Sequence, residues 1–207
     1  MAPGVAWAGG SASPAGGSAQ RWQFTVFLDD TEIGYHHFRL MPSGQEYVLE
    51  SEALFEVKFL FFNAYAYRHR STELWREDCL LRIDSSTDDN GDSYAVEGAA
   101  REEAFVVETQ QDRKLLPECV GTFAYWDREL LRRSDRMLNA QTGEYVDTSL
   151  KLLGHETIEV HGQAVRATRY RLDAYERQID LWYSEDGEWL QLESTTGREQ
   201  RLRYRLL

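Results

Sequence analysis

The stretch Tyr47–Phe62, YVLESEALFEVKFLFF, decides the fold. Every second residue from Tyr47 gives Tyr47, Leu49, Ser51, Ala53, Phe55, Val57, Phe59 and Phe61. The intervening set is Val48, Glu50, Glu52, Leu54, Glu56, Lys58, Leu60 and Phe62. Successive side chains of a strand point to opposite faces, so the pattern predicts a β-strand with one face on a core and one mostly toward water. At roughly 3.3 Å per residue it would span about 50 Å, well beyond an ordinary strand. A strand that long bends across a curled sheet.

Its neighbours read as antiparallel partners. Before it, Trp22, Phe24, Val26 and Leu28 alternate, Asp29-Asp30 supplies turn chemistry, Ile33–Leu40 returns, and Met41–Gly44 breaks the pattern. After it, Asn63 is read as the punctuation, and Tyr65–Trp75 carries Tyr65, Tyr67, His69 and Trp75 on one side. Cys79, Leu81 and Ile83 open the next strand, Asn90-Gly91 marks a hairpin, and Tyr94–Val96 and Phe105–Val107 follow. Leu115–Gln141 lacks alternation; there Asp127 is placed to cap a short helix with Leu130 and Leu131 inward. Strands resume at Tyr145–Leu153, His155–Val160, Val165–Leu172, Ile179–Tyr183, Trp189–Glu193 and Leu202–Leu206. The expectation is an all-β, single-domain antiparallel meander over 21–207, of about 11–13 strands, curled into a barrel or half-barrel, with one irregular, short helical insert near residues 115–141.

Residues 1–20 carry no charged side chain and are mostly Ala, Gly and Ser, so they read as a disordered leader. Ala6-Trp7-Ala8 has the small-x-small shape of a signal-peptidase site, without the basic and apolar regions that precede one. The leader is therefore either a flexible extension or the remnant of an export signal.

A net charge of −12 repels phosphate backbones and argues against nucleic acid as a partner. Arg198, Arg201, Arg203 and Arg205 read as the solvent face of the last strand. No apolar run approaches the roughly 18–20 residues of a membrane span; the longest, Leu54–Phe62, is interrupted by Glu56 and Lys58. Cys79 and Cys119 each sit beside apolar residues and are either two buried thiols or one disulfide in an oxidising compartment.

Ser86–Glu97, STDDNGDSYAVE, overlays partly on a calcium loop, but Ser86 stands where Asp is required and strands flank it, so it reads as a hairpin tip. Among five histidines, none has zinc-site spacing, and His36 and His37 fall on opposite faces of a strand. No catalytic residue, metal site or cofactor is assigned. Cys119 near Tyr125, Trp126 and Asp127 is the one cluster that would suit an enzyme.

Two features remain. Arg68 and Arg70 share a face with Thr72, and such forks hold carboxylate or phosphate head groups, or else pair with Glu50, Glu52 or Glu56 across the strands. The aromatic surplus, which includes Trp189, fills a core or lines a concave apolar cavity. The candidate ligand-binding set is Phe55, Phe59, Phe61, Arg68, Arg70, Trp75, Trp126 and Trp182.

The segments RWQFTVFLDDTEIGYHHF (21–38), LWREDCLLRIDSSTDDNG (74–91), CVGTFAYWD (119–127), LNAQTGEY (138–145) and IDLWYSEDGEWLQLES (179–194) resemble a bacterial family, domain of unknown function 6134. The resemblance runs in order from Trp22 onward. It implies a mostly antiparallel β fold and an envelope location, and no reaction. A fold-level similarity to lipoprotein carriers, whose curled sheet holds acyl chains, is analogy only. The expected function is a periplasmic or envelope binding protein for a hydrophobic, lipid-like ligand. The alternatives are a structural or interaction domain with a filled core, an enzyme of unknown reaction, and a cytoplasmic location.

Overall fold

The computed structural model describes residues 18–59 and 62–207, with the side chains of 58–63 left out. Its strands are β1 (Gln20–Leu28), β2 (Thr31–Ser43), β3 (Glu46–Phe59), β4 (Phe62–Arg76), β5 (Cys79–Asp89), β6 (Asp92–Ala100), β7 (Phe105–Thr109) and β8 (Arg113–Leu116). Then follow β9 (Gly121–Thr122), α1 (Arg128–Arg133), β10 (Arg136–Leu138), β11 (Tyr145–Val160), β12 (Gln163–Ala174), β13 (Arg177–Tyr183), β14 (Trp189–Thr195) and β15 (Arg201–Leu206). They form a 15-stranded sheet in the order β8-β7-β6-β5-β4-β3-β2-β1-β15-β14-β13-β12-β11-β10-β9, antiparallel except for β9–β10. Three short strands go beyond the expectation, β8 at the border of the insert and β9 and β10 within it, all too short to show alternation, whereas the expected pair Tyr145–Leu153 and His155–Val160 is the single strand β11.

The chain termini meet in the middle of the sheet, where β1 pairs β15 from Phe24↔Leu206 to Leu28↔Leu202. The free edges, β8 and β9, come from neighbouring parts of the chain. The sheet curls until these edges approach, but no ladder among the described residues closes it, so it is an open half-barrel. The seam is held by other means: Leu80 N–H donates to Val120 O at 3.0 Å, and Cys79 and Cys119 form a disulfide with Cα atoms 4.9 Å apart. The two-thiol alternative is thereby corrected.

The long strand is shorter than its sequence pattern. β3 ends at Phe59 and pairs back through Phe59↔Phe62, so the chain reverses before Asn63. An unbroken apolar run conceals a turn that period alone cannot locate. Phe61 lies outside the described residues, and the side chain of Phe59 is not among those described. Of the leader, residues 1–17 also lie outside them.

The inward face carries Trp22, Phe24 and Val26 of β1, Trp75 of β4, Leu172, Leu181, Tyr183 and Trp189, all buried. Arg203 departs from the expected solvent face: it is 8% exposed, pairs with Asp30 at 2.8 Å and donates to Asp29 O, fastening β15 to the β1–β2 turn. Asn90 (φ 56°) and Gly91 (φ 99°) make the β5–β6 turn, with Gly91 N–H on Asp88 Oδ1 at 2.8 Å, as the hairpin reading expects.

Gly34 is a fixed requirement of the curl. It has φ +145°, and a Cβ there would sit 1.9 Å from the carbonyl oxygen of Leu54 on β3. Gly34→Ala is expected to cost about 2 kcal/mol, because an L side chain meets both unfavourable torsion and backbone contact. Urea unfolding checks this; an unchanged midpoint would show that β2 and β3 separate freely there.

Candidate functional site

The inward positions of β2–β5 are not uniformly apolar. Register aligns Phe38 with Ser51, Ser51 with Ser71, and Ser71 with Ser85, so three small polar residues lie side by side across β3, β4 and β5. Flanking them are His36, His69 with Thr87, and Glu73. Ser51, His69, Ser71, Glu73, Ser85 and Thr87 are all buried. Serines where a core would carry Leu or Phe remove volume from the interior.

The space left is a cavity of about 260 Å³ between this belt and the insert. Its floor is His36, Ser51, His69, Ser71 and Glu73; its walls and roof include Phe38, Tyr67, Tyr204, Thr122, Phe123, Tyr125 and Trp126. Tyr175, 41% exposed, stands at the mouth, its hydroxyl accepting from Asn139 Nδ2 at 2.8 Å. The roof is positioned locally: Asp127 caps α1 by accepting from the N–H groups of Glu129 (2.9 Å) and Leu130 (3.0 Å), and Leu130 and Leu131 are buried beneath. Tyr183 Oη donates to Tyr125 O at 2.8 Å, tying the roof to β13.

The belt is hydrogen-bonded. His36 Nε2 lies 2.7 Å from Ser51 Oγ, and His69 Nδ1 lies 2.8 Å from Thr87 Oγ1. Burial holds both imidazoles neutral, pushing His36 well below its usual range and His69 down to about 4. Glu73, 3% exposed, accepts at Oε2 from Trp75 Nε1 (2.9 Å) and Thr122 Oγ1 (3.1 Å). Desolvation nevertheless pushes its carboxyl up to about 7 against those two bonds.

The structure divides the sequence-derived candidates. Phe55, Trp75 and Trp126 face inward: Phe55 stacks on Tyr67 at 5.1 Å, and Trp75 and Trp126 meet edge to face at 5.9 Å. Arg68 and Arg70 do not join them. They occupy alternate positions of β4, point outward and are exposed, and Arg70 pairs with Glu52 at 2.8 Å, the cross-strand alternative. They border an outer hollow of about 630 Å³ with Tyr35, Asp88 and Tyr94, across the sheet from the aromatic cavity. That hollow is larger and includes His69 and Thr87 in its lining, but it has neither Ser51, Ser71 and Glu73 nor the tryptophan and phenylalanine side chains of the inner cavity. Trp182 also lies away from the cavity, in a separate cluster with Ala167 and Leu190, its Nε1 donating to Glu156 Oε1 at 2.6 Å. The alternation of β13 sends Leu181 and Tyr183 inward and Trp182 the other way.

Sequence reasoning missed Glu73 and Ser71. A signal existed: Ser71 and Glu73 share the parity of Tyr67, His69 and Trp75. Their convergence with Ser51 and Thr122 needed the register.

A family model described as a domain of unknown function, DUF6134, matches residues 24–207. Among curated proteins none matches significantly. A crystal structure of a beta-barrel-like protein of domain of unknown function DUF1849 from Brucella abortus is similar, with a TM-score of 0.67 over 90% of this chain and 94% of that chain. At 12% identity the likeness is one of fold. No helix among the described residues is long and apolar enough to cross a membrane.

Proposed function

Since the chain belongs to the DUF6134 family, a domain of unknown function, we propose that it is a binding protein of the cell envelope that holds a small ligand with an apolar body inside its half-barrel. The observation that carries this reading is the cavity: a belt of buried serines, histidines and Glu73 facing Phe38, Tyr67, Tyr125 and Trp126. Binding sites combine apolar walls with a few placed polar groups in this way. A volume near 260 Å³ suits a ring or short chain and is too small for a two-chain lipid. The Cys79–Cys119 disulfide supports an oxidising compartment outside the cytosol.

The test is mass spectrometry on an organic extract of natively folded protein purified from its own host. A stoichiometric small molecule, lost from a variant with Ser71→Leu filling the cavity, is the expected result. A clean extract, with wild type and Ser71→Leu equally indifferent to added small apolar probes, would overturn the reading.

A further inference from the structure

Two buried groups of the cavity, Glu73 on its floor and Trp126 at its roof, are incompletely paired. Trp126 Nε1 has no hydrogen-bond partner among the described residues, although the residue is only 9% exposed and lines the cavity. Glu73 meets no cation among the described residues, and both of its donors fall on one oxygen, Oε2. An unmatched buried donor and an unmatched buried carboxylate are each costly, and together they describe a complement. Thr122 bonds Glu73, Trp75 bonds Glu73 and packs on Trp126, and Glu73, Thr122 and Trp126 line the same cavity.

We propose that the cavity takes a small amphiphilic amine, its ammonium on Glu73, a neighbouring hydroxyl or carbonyl oxygen on Trp126 Nε1–H, and its apolar body among Phe123, Tyr125 and Tyr67. The inference rests on the binding role argued above and names the ligand's class. A carboxylate or phosphate ligand would meet Glu73 with no cation to compensate. A hydrocarbon would leave both polar groups unmatched. An ammonium matches the carboxylate. Burial that raises Glu73 to about 7 also leaves neutral His36 and His69 on the same floor, so no resident cation competes with the ligand. The net charge of −12 favours the approach of a cation.

Calorimetric titration at pH 8 with 2-amino-1-phenylethanol and with 1-phenylpropan-1-ol, which replaces the ammonium by a methyl group, tests it. The amine is expected to bind at least roughly tenfold more tightly than the alcohol, since hydrogen bonds to a buried charge are worth that much. Glu73→Gln should erase the difference. Trp126→Phe, which removes one N–H and keeps the ring, should weaken both probes a few-fold. Equal binding of the two probes, or an amine preference that survives Glu73→Gln, would overturn the amine class while leaving the binding role standing. Binding of neither probe by a protein that yields an extractable non-amine molecule would do the same. Binding of neither, with a clean extract, would overturn both.

Discussion

Cys79→Ala/Cys119→Ala is expected to lower stability by about 4 kcal/mol, read as the shift in urea unfolding at pH 7 between variant and oxidised wild type. The bridge closes a loop of 40 residues, and on the chain-entropy account a loop of that length restricts the unfolded ensemble by about this amount. The effect extends beyond entropy. β8 and β9 have no ladder between them, so the seam depends on the disulfide, on the Leu80–Val120 backbone bond, and on the Arg133–Asp78 ion pair. Arg133 and Asp78 are about half exposed, so their pair adds little. Without the covalent tie, the segment from Val120 through Asp127, which roofs the cavity, is left to the Leu80–Val120 hydrogen bond as its backbone link to β5. The variant should therefore also show faster exchange of the Thr122–Trp126 amides than of those in β1 and β15. Reduced wild type should behave like the variant, because Cys119 is exposed and open to reductant. A loss below about 1 kcal/mol, with roof amides still protected, would mean that packing of Val120, Leu130 and Leu131 alone holds the seam.

The same seam marks where sequence reading stops. Alternation made most strands legible, because a half-buried strand writes its two faces into the chain: Trp22-Phe24-Val26 and Tyr47-Leu49-Ser51 need no coordinates. Asp127 as a helix cap and Asn90-Gly91 as a turn were equally local. Three matters were not local. The turn after Phe59 is hidden in a continuous apolar run. The pairing of β1 with β15, which puts the termini at the centre of the sheet, depends on closure between residues at opposite ends of the chain. The cavity depends on register: Ser51 is visible as a polar residue on an apolar face, but only alignment with Ser71 turns one small residue into a missing volume. Arg68 and Arg70 lie on the face of β4 opposite Tyr67 and His69, as their parity with Thr72 implies, and Trp182 lies on the face of β13 opposite Leu181 and Tyr183, so the candidate set spans both faces of the sheet.

Parity also delivers Glu73 to the interior, and its removal should be stabilising at high pH. Glu73→Gln is expected to exceed wild type by about 3 kcal/mol at pH 8 and to match it near pH 4.5. The carboxyl holds its proton in the fold up to about 7, against 4.5 as the ordinary value, a gap of 2.5. At about 1.36 kcal/mol per pH unit this gap amounts to about 3 kcal/mol. Between those pH values the native state binds more protons than the unfolded state, so this contribution to stability falls as pH rises and is fully lost above about 7. Gln keeps an oxygen for Trp75 Nε1–H and Thr122 Oγ1–H but never ionises, so it escapes the loss. His36 and His69 act in the opposite sense: held neutral by burial, they cost stability as pH falls below 6.5, for His69 down to about 4. They are present in both proteins and cancel in the difference, which isolates Glu73. Parallel unfolding free energies of wild type and Glu73→Gln from pH 5 to 8 would show that the carboxyl ionises at its ordinary value, and that water reaches it through the mouth beside Tyr175. If the two diverge as expected, a cationic ligand should close the gap at pH 8 by stabilising wild type alone, because it matches the charge that the empty fold leaves unmatched.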